Sequence, residues 1–108
     1  MNLNEYQEKA VSTAIYPSEM VIVYPALGLN GEAGEVAEKV KKMIRDNNGI
    51  LSDEIRESII KELGDVLWYV ANTANDINAS LDEIANVNIE KLNKRKQENK
   101  LKGSGDDR

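Results

Sequence analysis

The chain has no histidine, no cysteine and no phenylalanine, and only two prolines and one tryptophan among its 108 residues. Without cysteine there are no disulfides and no thiolate nucleophile. With histidine also missing, imidazole base catalysis and zinc sites of the usual His/Cys kind are excluded. No stretch is long and apolar enough to span a bilayer. The start, Met1-Asn2-Leu3-Asn4-Glu5, lacks the basic and apolar pattern of a signal peptide. A cytoplasmic location with no membrane partner is therefore expected. Neither a Gly-x-x-x-x-Gly-Lys-Ser/Thr loop nor a Gly-rich dinucleotide fingerprint occurs. A net charge of −5 argues against a surface for nucleic acid polymers, though a metal and a few lysines can still hold a small phosphorylated ligand. Chemistry in this chain falls to carboxylates, lysines, tyrosines and hard cations.

What is present reads as helix. Leu3, Tyr6, Ala10, Val11 and Ala14 recur at helical spacing and predict a first helix over Leu3–Ile15, opened by Asn2 and stopped by Pro17. The apolar run from Met20 to Tyr24 has no partner strand and is expected to be packed loop or an irregular helical turn. Pro25 opens a second helix reaching about Asp46, and Asn47-Asn48-Gly49 ends it. Ser52 caps a third helix extending to about Asn78. Ser80 and Glu83 have capping-box spacing for a fourth, which is expected to give way in the charged run Lys91–Lys102. The predicted organisation is one all-α domain over 1–102, an antiparallel four-helix bundle-like fold, with a flexible polar tail at 103–108. Its apolar residues are mostly Ile, Leu, Val and Ala, and a chain this short buries little surface alone, so oligomerisation is expected to complete the core.

Two acidic pairs break the helical pattern. Glu32 and Glu35 lie among Leu29, Ala33, Val36, Ala37 and Val40, and Glu62 and Asp65 among Ile59, Leu63, Val66, Leu67 and Val70. Acids three residues apart share a helix face, and carboxylates turned toward a core need compensation. The short turn between the two helices makes them antiparallel neighbours and sets Glu35 roughly opposite Glu62. Four converging acids would repel unless a cation enters, and oxygen-only ligation favours Mg²⁺, Mn²⁺ or Ca²⁺. Glu38 continues the same three-residue step. Gly31, Gly34 and Gly64 are costly within helices and suit either close packing or room beside the acids.

The segments Gly28-Leu29-Asn30-Gly31-Glu32-Ala33-Gly34-Glu35-Val36-Ala37-Glu38 and Lys61-Glu62-Leu63-Gly64-Asp65-Val66-Leu67-Trp68-Tyr69 resemble the MazG-like nucleoside triphosphate pyrophosphohydrolases. These belong to the all-α NTP pyrophosphatase superfamily, with the dimeric dUTPases and the dCTP pyrophosphatases. The superfamily pattern is a Glu-x-x-Glu followed by a Glu-x-x-Asp. The Glu that many members carry directly before the first motif is Gly31 here. The resemblance implies hydrolysis of a (d)NTP to the (d)NMP and pyrophosphate, with Mg²⁺ (or Mn²⁺) held by Glu32, Glu35, Glu62 and Asp65. It implies Glu35 or Glu38 as the group acting on the attacking water, and a homodimer or homotetramer with sites near the subunit interface. Lys39, Lys42 and Lys61 are candidates for the phosphate tail, and Gln7, Tyr16, Tyr69 and Asn72 for base and sugar. Trp68 is expected in the core or a subunit interface. Two other readings fit the same residues: a non-catalytic metal- or nucleotide-binding regulatory helical module, and an oligomerisation domain whose acids form salt bridges.

Overall fold

A computed structural model describes residues 1–107. It contains four α-helices: α1 (Leu3–Val11), α2 (Val23–Asn47), α3 (Asp53–Asp76) and α4 (Leu81–Gln97), with a 3₁₀ turn at Ser18–Met20 before α2. No strand occurs among the described residues, as the all-α expectation requires. The two long helices form an antiparallel hairpin, α1 packs across α3, and α4 packs on α1 and more lightly on α3. Among the described residues no helix is long and apolar enough to cross a membrane.

The predicted caps are where the side chains put them. Ser52 accepts from the Ile55 amide at 3.2 Å, Ser80 from Glu83 at 3.0 Å and Asn2 from Glu5 at 2.8 Å. Other boundaries move for local reasons. α1 stops at Val11 rather than Ile15 because Ser12 and Thr13 turn their hydroxyls onto the Lys9 and Ala10 carbonyls, which competes with helix continuation. Ile15 is left 96% exposed. α2 starts at Val23, so Pro25 occupies its first turn, where no backbone donor is needed. α3 ends at Asp76, and Asn78 takes a left-handed conformation at φ 60°. α4 carries the charged run as helix through Gln97. Beyond it the chain turns back on α4: Arg95 donates to the carbonyls of Gly105 and Asp106, and Lys91 to the Asp106 carboxylate. Of the segment expected as a tail, Arg108 lies outside the described residues.

The core is small. Ala10, Ala71, Ala74 and Leu81 are its buried apolar residues, packed by Tyr6, Trp68, Val70 and Ala79. The stripes of the hairpin are largely open, with Ile44 64% and Leu63 50% exposed. The radius of gyration, 16.7 Å, exceeds the roughly 13 Å of a compact chain this long, because the α2–α3 hairpin projects from the core.

Gln7 is the polar key of that core. Its amide donates to the Ala71 and Ala79 carbonyls and accepts from the Leu81 amide, joining α1, α3 and the start of α4. Gln7→Met keeps the length and strands the Ala79 carbonyl and the Leu81 amide, each of which costs about 1–3 kcal/mol when left unpaired, while the Ala71 carbonyl keeps its bond within α3. A total loss of about 2–3 kcal/mol is expected, read as a lower urea midpoint at unchanged slope. A loss under about 0.5 kcal/mol would show that the three bonds contribute little.

Candidate active site

Helix geometry builds the site from two facing stripes. On α2, Tyr24, Gly28, Glu32, Glu35, Lys39 and Lys42 follow one another at three- and four-residue steps and share one face. On α3, Ser58, Glu62, Asp65, Tyr69, Asn72 and Asp76 do the same. Because the helices run antiparallel, the groove between them changes along its length from aromatic, through acidic, to a stretch that carries Lys39 and Lys42.

In the acidic middle, one carboxylate oxygen from each of Glu32, Glu62 and Asp65 lies within 4.8 Å of the others. Glu62 reaches both Glu32 and Lys39, whose Nζ is 3.8 Å away. Those partners bracket Glu35, as the expected register requires. Glu35 itself is exposed and outside the tight group, although its charge acts on Glu32. Glu32 has its pKa raised, first by burial, then by the charges of Asp65, Glu62 and Glu35 and a hydrogen bond with Glu62. With Lys39 the one cation paired to its three carboxylates among the described residues, the cluster keeps an excess of negative charge, and its all-oxygen donors suit a hard divalent cation.

Glu38 points elsewhere. It accepts from Lys41 at 3.0 Å, and that hydrogen bond and charge, with Lys42 and Arg45, hold its carboxyl below the ordinary Glu value. At the end that carries lysines, Lys39 and Lys42 share a cleft of about 370 Å³ with Asp46, Glu54, Ser52 and Ser58, so two ammonium groups stand among two carboxylates. Lys61 is exposed and is not among the residues lining it.

At the other end, Glu32, Asp65, Trp68 and Tyr69 line a cleft of about 310 Å³, within the range of small-ligand sites. Tyr69 lies against the bare backbone of Gly28, where an added Cβ would come within 2.1 Å of its ring. The rings continue outward: Trp68 meets Tyr69 edge-on at 4.9 Å, Tyr24 tilts against Tyr69 at 6.4 Å, and Tyr16 stacks on Tyr24 at 5.0 Å. Burial, then Tyr24, Glu32 and Asp65, raise the Tyr69 pKa. Trp68 Nε1 also donates to Thr13 at 2.8 Å, tying the segment after α1 to the site.

The structure therefore brings Glu32, Glu62, Asp65, Tyr69, Tyr16, Lys39 and Lys42 onto one groove. Gln7 is buried with its amide fully engaged by backbone. Asn72 is 1% exposed, donates to the Trp68 carbonyl at 3.0 Å, and has an enclosed Oδ1 with no hydrogen-bond partner among the described residues. Tyr24, Gly28 and Asp76 were missed in the sequence, although the four-residue steps Tyr24–Gly28–Glu32 and the run Asp65–Tyr69–Asn72–Asp76 were there to be followed.

An all-helical chain with an acid-lined groove suited to a divalent ion, flanked by aromatic and lysine-bearing ends, defines a class of phosphate-handling α-proteins. Residues 26–99 match the MazG nucleotide pyrophosphohydrolase domain, and the chain belongs to that family. It is also 44% identical, over the whole of both chains, to the gene 37 protein of Mycobacterium phage L5. No solved structure matches it. The protein is accordingly a nucleotide pyrophosphohydrolase of a family generally dependent on divalent metal.

Proposed function

We propose that the protein converts a (d)NTP and water to the (d)NMP and pyrophosphate in a Mg²⁺-dependent reaction. The observation that carries the proposal is the order of side chains along the α2–α3 groove: aromatic, then acidic, then the lysines Lys39 and Lys42. A nucleotide has the same polarity, with base, α-phosphate and terminal phosphates in sequence. Glu32, Glu62 and Asp65 are the residues to hold Mg²⁺ (or Mn²⁺), with Glu35 adding its carboxylate from the next turn of α2. When bound, the ion offsets phosphate charge and makes water a better nucleophile at neutral pH.

Water oxygen bonds to the α-phosphorus, and the bond from that phosphorus to the bridging oxygen breaks. The electron pair leaves with pyrophosphate. Glu35 is exposed beside the cluster and is placed to orient the water and take its proton. Glu38, already paired with Lys41, is the weaker candidate. Lys39 and Lys42 receive the departing pyrophosphate, and Tyr69 with its neighbours faces the base. The enzyme is read as a single-domain cytoplasmic protein. A second copy covers the open apolar face of the hairpin around Ile44, Ile60 and Leu63, giving a homodimer or homotetramer. Light scattering that returned only a monomer mass would refute that assembly.

The direct test is a pyrophosphate-release assay over canonical and modified nucleotides with and without Mg²⁺. Release of pyrophosphate and monophosphate in equal amounts, from at least one nucleotide and only with metal, is expected. Release of orthophosphate, or no turnover with any nucleotide, would overturn the proposal.

A melt tests the metal separately. Glu32 has a folded-state pKa above its ordinary 4.5. Between those two values the folded protein binds more protons than the unfolded chain, so metal-free stability falls as pH rises through the window. At neutral pH Mg²⁺ recovers the loss, by about 2.7 kcal/mol at a hundred times Kd, or on the order of 10 °C in Tm. That increment is expected to shrink as pH falls into the window, where protons compete for Glu32. An Mg²⁺ increment independent of pH down to 4.5 would exclude Glu32 as a ligand.

A further inference from the structure

Asp76 stands at the C-terminal end of α3, beyond the acids, and binds no part of the metal cluster. A single oxygen, Oδ2, accepts two hydrogen bonds from the segment that connects α1 to α2. One is from the Tyr16 hydroxyl at 2.9 Å and the other from the Ile22 amide at 2.9 Å. Ile22 is the N-cap of α2 and has φ 71° with ψ −51°, a positive-φ conformation that a β-branched residue adopts only when its surroundings impose it. The side chain of Ile22 itself makes no capping hydrogen bond to this end of α2. The Asp76 carboxylate therefore fixes both the strained entry to the helix and the ring that stacks on Tyr24. Tyr24 lies in the first turn of α2, and its ring in turn leans on Tyr69 above the acids.

We propose that Asp76 is a positioning residue for nucleotide recognition: through Tyr16 and Ile22 it holds the Tyr16–Tyr24 pair in register with Tyr69, and so sets the wall against which the nucleoside lies. Granted the nucleotide reading of the groove, on which this rests, Asp76 governs the nucleoside half of the ligand and leaves the phosphate half alone. Tyr16 carries the signature of the contact. Burial, the hydrogen bond to Asp76 and that residue's charge push its pKa up to about 12.

The test is calorimetric titration, in Mg²⁺, of the four α,β-imido deoxynucleoside triphosphates and of inorganic tripolyphosphate. Wild type, Asp76→Ala, Asp76→Asn and Tyr16→Phe are compared. If the aromatic pair is correctly placed only about a tenth of the time once released, Asp76→Ala weakens the best imido nucleotide about tenfold. Tripolyphosphate binding changes less than about twofold, because no phosphate contact is lost. Asp76→Asn keeps an oxygen acceptor for both donors and restores nucleotide affinity, while Tyr16→Phe, which retains the ring and the Ile22 bond, loses less than Asp76→Ala. In a spectrophotometric tyrosine titration, Asp76→Ala brings the highest ionisation down from about 12 toward 10. Equal loss of nucleotide and tripolyphosphate, or no loss of nucleotide, overturns the role of Asp76 while leaving the hydrolase reading intact. A wild-type protein that binds tripolyphosphate but none of the four nucleotides overturns the nucleotide reading itself and this role with it.

Discussion

Asp65→Asn is expected to lower kcat/KM by about three orders of magnitude or more while making the metal-free protein more stable. The two effects share one cause. Asp65, Glu62 and Glu32 crowd their oxygens within 4.8 Å, and Asp65 is the largest of the charges acting on Glu32. An Asn has the same shape but no charge, so repulsion falls and Glu32 returns toward its ordinary pKa. The site then loses a hard anionic ligand, and with it most of the stabilisation of charge in the transition state. Glu62→Gln should behave alike, with the added release of Lys39 from its 3.8 Å contact. Glu38→Gln should stay within about threefold of wild type, because that carboxylate is engaged by Lys41. Steady-state kinetics and a pair of melts with and without Mg²⁺ check all of this. The reading is wrong if Asp65→Asn keeps a tenth of the activity, or if its metal-free Tm falls. Stability gained where function is lost is the mark of residues retained for chemistry.

The acids could be found in the sequence because charge inside an apolar helical stripe is an anomaly at short range. Caps were legible for the same reason: Ser52 and Ser80 act on amides three residues away. The sense of the apolar stripes was less accessible. Ile44, Ile60 and Leu63 have helical spacing whether they face this chain's own core or stand open, as they do here. The early end of α1 depended on Ser12 and Thr13 choosing backbone carbonyls, a competition that periodicity does not reveal.

Gln7, Tyr24 and Asp76 were opaque for another reason. Their partners are 54 to 74 residues away or lie across helices, so their roles depend on packing rather than spacing. Gln7 is a candidate nucleotide contact by resemblance alone, and only the fold shows its three hydrogen bonds to backbone groups that join helices. Asp76 lies within the stretch expected as helix to about Asn78, and nothing local marks it. The acid cluster was therefore readable from residue order, and the aromatic end, the proposed nucleoside half, needed the fold.

Gly28→Ala puts that nucleoside half to its sharpest test, since a single methyl group should cost nucleotide affinity about tenfold to a hundredfold. In most helix interiors this substitution stabilises, by up to about 1 kcal/mol, because Gly loses more backbone entropy on folding. Here the new Cβ would sit 2.1 to 2.6 Å from three atoms of the Tyr69 ring, closer than any real contact allows. The backbone of α2 is held by its own hydrogen bonds, so Tyr69 must yield. Its ring is enclosed by Trp68 on one side and Tyr24 on another, and displacing it disturbs both. Overpacking of this kind costs about 1–3 kcal/mol, enough to reverse the helix gain. A base stacked on an aromatic ring is worth about 1–3 kcal/mol, which sets the size of the affinity loss. The acids sit one turn further along α2, so Mg²⁺ binding should survive, and tripolyphosphate should bind as it does to wild type. Tyr69→Ala supplies the control: in that background the Ala at position 28 meets open space, so the two losses should overlap instead of adding. Additive losses in the double mutant, or a Gly28→Ala protein that binds nucleotide as tightly as wild type, would place the base away from Tyr69.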